Sequence, residues 1–424
     1  MGITAIHPHK KPSKEAALPK PSPTPQDPRN ESISKRQPFS FNFQLVILTI
    51  IRTLMYTGHR LVFPYLPVIA RGLGVSLEMV ALAITIRSAL GLLSPLLGML
   101  SDRKGRKTAI IIGLFLFSVS ALLIALLPTY IAFLMGLSLI WAAVIIFDPA
   151  VQAYVGDRVV YKKRARAIAF LELAWSGAFL IGIPVVGWLL ARSKWNSPYL
   201  WLAGLGLMST ILVWRMLPAR ASKSRTPYSL KEGLKYVLSY PPAVGGLLIS
   251  FLLVTANQVV LIIYGAWLEN IHEMSSKILG QVSSVIGAAG ILGLAAVAVI
   301  SDRFGKQKAM ASGILVNICS AVLLAFSAST LPLTVLSLFL FFFSFEFSLV
   351  TGISLLTELR PRARATMMAI NTAALSAGDS LGAFLGSRFY QANIIRNVSI
   401  TILLDGLVLI LLFFAIRRDS HQLD

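Results

Sequence analysis

Cysteine is all but absent from this chain: Cys319 is the single one in 424 residues, so no intrachain disulfide can form. Acidic residues are scarce as well, 18 Asp and Glu against 39 Lys and Arg, and charged residues of both signs make up only 13%. A soluble domain carries about 25%, so water is not the main solvent of this molecule. Walker, ABC-type and zinc-hydrolase patterns are missing, which leaves ATP-driven pumping and hydrolysis without support. His59 has no second histidine nearby, so no metal site is expected. Residues 1–40 lack the apolar core and cleavage site of a signal peptide.

What fills the chain instead is apolar sequence, with 56% hydrophobic residues and a mean hydropathy of +0.74. It breaks into a dozen stretches, each near the ~20 residues that carry a helix across a bilayer: 43–70, 77–100, 108–127, 130–155, 165–190, 198–217, 241–268, 278–300, 308–328, 331–357, 364–388 and 396–416. The runs are continuous rather than alternating, which excludes a strand barrel. The expected fold is therefore an all-α membrane protein of twelve transmembrane helices.

The surplus of basic residues has a topological reading. On this threading most Lys and Arg fall in the N-terminal tail, the C-terminus and the alternate loops on one side. That places both termini in the cytoplasm of a multi-pass cell-membrane protein, and nucleic acid is not needed to explain the charge. Residues 1–40, rich in Pro and Lys, read as a disordered tail. The polar stretch 218–240 reads as a linker between a bundle at 41–217 and another at 241–418, with a short tail at 419–424. Within the linker, Leu230 to Leu238 forms either a short amphipathic helix or a plain loop.

Internal repetition supports two similar halves. Gly98-Met-Leu-Ser-Asp102-Arg103-Lys-Gly105-Arg106-Lys107 is echoed 200 residues later by Ser301-Asp302-Arg303-Phe-Gly305-Lys306. A second echo follows the fourth and tenth runs: Asp157-Arg158 with Arg164 and Arg166, then Glu358 and Arg360 with Arg362 and Arg364. Paired at the lipid boundary, such charges can latch helix ends together.

The Gly98–Lys107 segment resembles the signature loop of the major facilitator superfamily, and Asp302, Arg303 and Gly305 match its weaker second copy. The resemblance covers about residues 40–418. It implies two pseudo-symmetric six-helix bundles around a midplane cavity. It also implies close packing of the second helix at Gly98 and a gating charge network that includes Asp102 and Arg106. Gly177, Gly182, Pro184 and Gly187 partly resemble the Gly-Pro motif of the efflux, drug–proton antiporter branch. The fourth-helix arginine of that branch is missing, with Leu137 near its place.

Ionisable residues at membrane depth are costly and usually face a cavity or one another. Arg52, Tyr56 and His59 share one face of the first helix, and Arg87 lies mid-way along the second. Asp148 and Glu172 sit deep in the fourth and fifth. Two cations and two acids fit either a substrate site or a pair of static ion pairs. In the second half Glu346, Asp379 and Asp405 are buried by the same reckoning, and no basic residue is expected beside them. Glu346 or Asp379 is accordingly the expected protonation site. Asn257 and Tyr264 share a face of the seventh helix, with Trp267 expected as an interfacial anchor. The expected activity is secondary transport of a small organic solute by a monomer, as proton-coupled efflux of an amphipathic compound that needs no cofactor beyond the proton gradient. Uptake or exchange of an organic anion through Arg52 and Arg87, or a non-transporting sensor or lipid-handling protein, are the alternatives.

Overall fold

Apolar runs in lipid must satisfy their own backbone, and here they do so as helices. The computed structural model describes residues 40–94, 105–159, 161–218, 230–359, 364–390 and 393–419, and no strand occurs among them. Gly98, Asp102, Arg103, Arg360 and Arg362 lie outside the described residues, as do the tails.

The first expected span is two helices, α1 (Phe41–Arg60) and α2 (Leu66–Leu73), with the chain turning at 61–65 between them. Pro64 has no N–H to continue the helical ladder, and Pro67 starts α2 where a missing donor is harmless. Gly74, at φ +67°, then turns the chain by 110° into α3 (Leu77–Ala89), which runs on through a 3-10 turn at Leu90–Leu93. We read that bend as the reversal between two spans, because Gly74 caps α2 in the left-handed conformation.

The next helices are α4 (Arg106–Leu126) and α5 (Tyr130–Gly156). α6 (Tyr161–Gly177) then passes through a π-helical turn at Ala178–Gly182 into α7 (Ile183–Leu190), and α8 (Ser197–Met216) follows. The π turn sits where Pro184 cannot donate back along the helix, so the ladder widens rather than breaks. The linker does contain a helix, α9 (Leu230–Leu238). Val237 is buried there against Ala243, Leu356 and Met367.

The second half starts with α10 (Pro241–Leu261), interrupted at Ile262 and Ile263 before α11 (Tyr264–His272). It continues with α12 (Ser276–Ala296), a second π turn at Val297–Ser301 and the short α13 (Asp302–Phe304). Last come α14 (Lys306–Phe326), α15 (Leu331–Leu359), α16 (Arg364–Phe389) and α17 (Ile395–Asp419). Nine helices among the described residues are long and apolar enough to cross a membrane by themselves, or ten with α2 and α3 joined. The remaining expected spans are interrupted by Pro64, cut at 95–104, or diluted by polar residues such as Asn371 and Asp379. The layout is consistent with twelve crossings.

The halves echo each other in packing. α4 lies on α5, as α14 lies on α15. They meet along two crossings, α3 with α16 and α6–α7 with α12. At the second, a Cβ on Gly287 would stand 2.5 Å from the Leu180 nitrogen and 2.7 Å from the Ser176 carbonyl, so only glycine lets these backbones approach. The interruptions of the first and seventh spans also meet. A Cβ on Gly265 would lie 2.3 Å from the Pro64 carbonyl, and nearby Arg71 and Glu269 form an ion pair at 2.6 Å.

Candidate functional site

Two polar constellations occupy the middle of the bundle. The first is built around Arg52 on α1. Its Nε and Nη2 donate to the two carboxylate oxygens of Asp148 on α5, at 3.0 and 3.2 Å, and Nη1 donates to the Leu171 carbonyl at 2.8 Å. Nη1 also lies 3.0 Å from Glu172 Oε1 on α6, which accepts from Gln152 Nε2 at 3.1 Å. The Tyr56 hydroxyl donates to Asp148 as well. A planar guanidinium held in this forked way has a fixed seat. Arg52 is thus engaged by Asp148 and Glu172, tying the first, fourth and fifth spans together.

The second constellation surrounds a cavity of about 100 Å³, enough for a few waters or a small head group. It lies where the interrupted first and seventh spans approach α15 and α16, the kind of place where discontinuous membrane helices build a site. Its aromatic walls are Phe63, Trp175, Phe179, Phe342 and Phe345. Its polar groups are His59, Arg60, Arg87, Asn257, Gln258, Glu346 and Asp379.

Each cation is held differently. Arg87 Nη1 donates to the His59 carbonyl at 2.7 Å, and its guanidinium lies 5.3 Å from the Phe63 ring. Arg60 ends α1, where the partial negative charge of a helix C-terminus favours a cation. Its guanidinium carbon stands 3.1 Å from the centre of the Trp175 ring and 5.2 Å from Phe179. The charge of Asp379 acts on both arginines, and that of Glu346 acts on Arg60. Neither Glu346 nor Asp379 forms an ion pair or a hydrogen bond among the described residues, and both line the open space. His59 stacks on Trp141 with ring centres 4.4 Å apart.

Several sequence-based expectations need correction. Basic residues are in fact buried with Glu346 and Asp379, because Arg60 and Arg87 reach across from the other half. Arg52 does not line the cavity, and neither does Tyr264, which shares a 2.9 Å hydrogen bond with Ser283 on α12. Asn257 does. Trp267 is fully buried and is no interfacial anchor. Asp405 is fully buried with neither carboxylate oxygen hydrogen-bonded, away from the cavity. Arg60 was not among the expected site residues, although it stands four residues after Tyr56 and four before Pro64, which interrupts the span. That spacing was the available signal.

At the α9 face the glycines that end the two repeated loops adopt similar backbone angles. Gly105 and Gly305 have φ of +87° and +80°, the left-handed region that glycine enters without strain. The residue after each begins a helix and forms an ion pair: Arg106 with Asp157 at 3.6 Å, and Lys306 with Glu358. Lys107 donates to the Trp214 carbonyl at 2.6 Å, Arg158 stands 3.9 Å over the Tyr154 ring, and Arg166 and Arg303 are exposed. Asp302, Arg164 and Arg364 lie in helices, and their side chains are outside the described set.

Comparison with known proteins agrees with this architecture. The chain is 25% identical to the MFS-type transporter YceJ of Bacillus subtilis over 299 residues, 70% of this chain and 76% of the relative. It is 22% identical to the quinolone resistance protein NorA of Staphylococcus aureus over 88% of this chain and 96% of NorA. It is 30% identical to multidrug resistance protein 1 of Bacillus subtilis over 47% of this chain and 51% of that protein. Among solved structures, the peptide transporter POT superposes with a TM-score of 0.74 at 16% identity, covering 93% of this chain and 98% of that one. An inward-facing, occupied bacterial homologue of the human lysosomal transporter Spinster gives 0.71 at 16% identity, covering 89% and 97%. These are transporters rather than enzymes. The profile of the Major Facilitator Superfamily matches residues 48–383, and the chain is a membrane-embedded transporter belonging to that family.

Proposed function

We propose that this transporter is a proton-coupled exporter of a small amphipathic compound, working by alternating access of the central cavity to the two membrane faces. One observation carries the reading. Glu346 and Asp379 line an aromatic cavity with no hydrogen-bond partner among the described residues, so each is free to hold either a proton or a cationic group of the cargo. The groups facing them are Arg60 and Glu172 for Glu346, and Arg60 and Arg87 for Asp379. A proton and a cationic cargo competing for the same carboxylates exchange across the membrane in opposite directions, which is antiport. The resistance proteins among the relatives favour export.

In this reading the two sextets at 41–217 and 241–418 rock about the cavity, and 218–240 joins them on the cytoplasmic side. Both termini share that side, and the monomer in the cell membrane is the working unit. The Arg106–Asp157 and Lys306–Glu358 pairs act there as symmetrical latches.

Uptake or exchange of an organic anion is the second reading. Arg60 and Arg87 favour it; Arg52, already held by Asp148, does not. The two are separated in proteoliposomes. With protein reconstituted in one orientation and an imposed pH gradient, lipophilic-cation flux that is lost in Glu346→Gln or Asp379→Asn supports the exporter. Full coupling in both variants ends that reading.

A further inference from the structure

The cavity already holds a cation, and it is the protein's own. Arg52 is fixed by a forked pair with Asp148 and a bond to the Leu171 carbonyl, and Arg87 by its bond to the His59 carbonyl. Arg60 donates no hydrogen bond among the described residues, and its Nε is buried without a partner. Nothing directional holds it. What holds it is a pair of ring faces, Trp175 and Phe179, and the charges of Asp379 and Glu346. Tyr56, His59, Arg87 and Tyr264 complete the ionisable groups around it. A guanidinium seated this way has the surroundings that an organic cation needs: flat π-faces against it and carboxylates lining the same cavity.

We infer that Arg60 is a tethered stand-in for the cargo, seated in the Trp175, Phe179, Glu346 and Asp379 cradle until the cationic head of an organic cation displaces it. The inference rests on the exporter reading and sharpens it by naming the cargo class as amphipathic organic cations. The long arginine stem lets the head leave its seat while the backbone of α1 stays in place. Because the competitor is attached, its local concentration is high, and it lowers the apparent affinity of every cationic cargo. The same competition helps cargo leave after the cavity has opened. The Arg60 charge also offsets those of Glu346 and Asp379 when neither cargo nor proton is present.

The test is equilibrium binding of tetraphenylphosphonium to the purified full chain in nanodiscs at pH 8, comparing the wild type with Arg60→Met. Methionine keeps much of the length and removes the charge. Loss of the tethered competitor is expected to tighten binding about tenfold, the change that corresponds to one desolvated cation–π contact. Unchanged or weaker binding in Arg60→Met, or no binding by either protein, overturns the inference. If the wild type binds an aromatic carboxylate such as naphthoate and Arg60→Met loses it, Arg60 is an anion ligand and the inference is equally overturned. Where Arg60→Met does not fold, Arg60→Lys serves: lysine lacks the delocalised plane that stacks on Trp175, so tighter cation binding is again expected and its absence is decisive. Binding needs no gradient. A wild type that binds cations as described but moves none against a pH gradient defeats the exporter reading and leaves the assignment of Arg60 intact.

Discussion

Converting Asp148 to Asn takes the forked carboxylate from the buried Arg52 guanidinium and leaves it only the more exposed Glu172. Removing one member of a buried pair lowers stability by about 3–5 kcal/mol, so Asp148→Asn is expected to melt well below the wild type in detergent. The double variant Arg52→Met, Asp148→Leu removes the forked pair, leaving Glu172 with a side chain 37% exposed, and is expected to recover most of that loss, because well-packed apolar side chains replace a buried pair at little cost. A double variant no better than Asp148→Asn would mean that Arg52 does more than tie helices together. Residue-scale chemistry was half legible beforehand. Arg52, Asp148 and Glu172 stand out as charges in apolar runs, yet spacing along separate helices leaves their partners undetermined. The same limit hid the proximity of Arg60 and Arg87 to Glu346 and Asp379, since those residues come from opposite halves of the chain.

At the scale of helices, the α6–α7 crossing with α12 depends on backbone contact at Gly287. Gly287→Val inserts two methyl groups where even a Cβ meets the Leu180 nitrogen at 2.5 Å. The variant is expected to pry the halves apart at this point, lowering thermal stability and transport together. A variant with wild-type melting and flux would show that the crossing tolerates separation. The ion pairs at the α9 face behave differently. Asp157 and Glu358 have side chains 52% and 56% exposed, and exposed pairs contribute about 0–1 kcal/mol. Asp157→Asn and Glu358→Gln are therefore expected to leave the melting temperature nearly unchanged while altering transport rate. A large drop in melting would assign these pairs to stability rather than to gating. Span positions were the most legible feature, because a continuous apolar run of membrane length has one stable solution. The expected 130–155 and 331–357 became Tyr130–Gly156 and Leu331–Leu359. The interruptions at 61–65 and after Leu261 were not anticipated, since hydropathy averages over a local break.

For the molecule as a whole, the two-half plan was written in the repeated loops, and it returns as paired geometry at Gly105 and Gly305. The cavity between the halves was less legible. It is made by tertiary contact, and its aromatic lining looks like any other apolar sequence along the chain. Transport through it is expected to depend on two carboxylates, Glu346 and Asp379, that exchange a proton for cargo. The decisive measurement is flux of a lipophilic cation in oriented proteoliposomes, with and without an imposed pH gradient, for the wild type and the Glu346→Gln, Asp379→Asn double variant. Gradient-driven accumulation in the wild type that falls to the passive level in the double variant is the expected result. Accumulation that persists in the double variant, or a wild type indifferent to the gradient, would contradict proton coupling at this site.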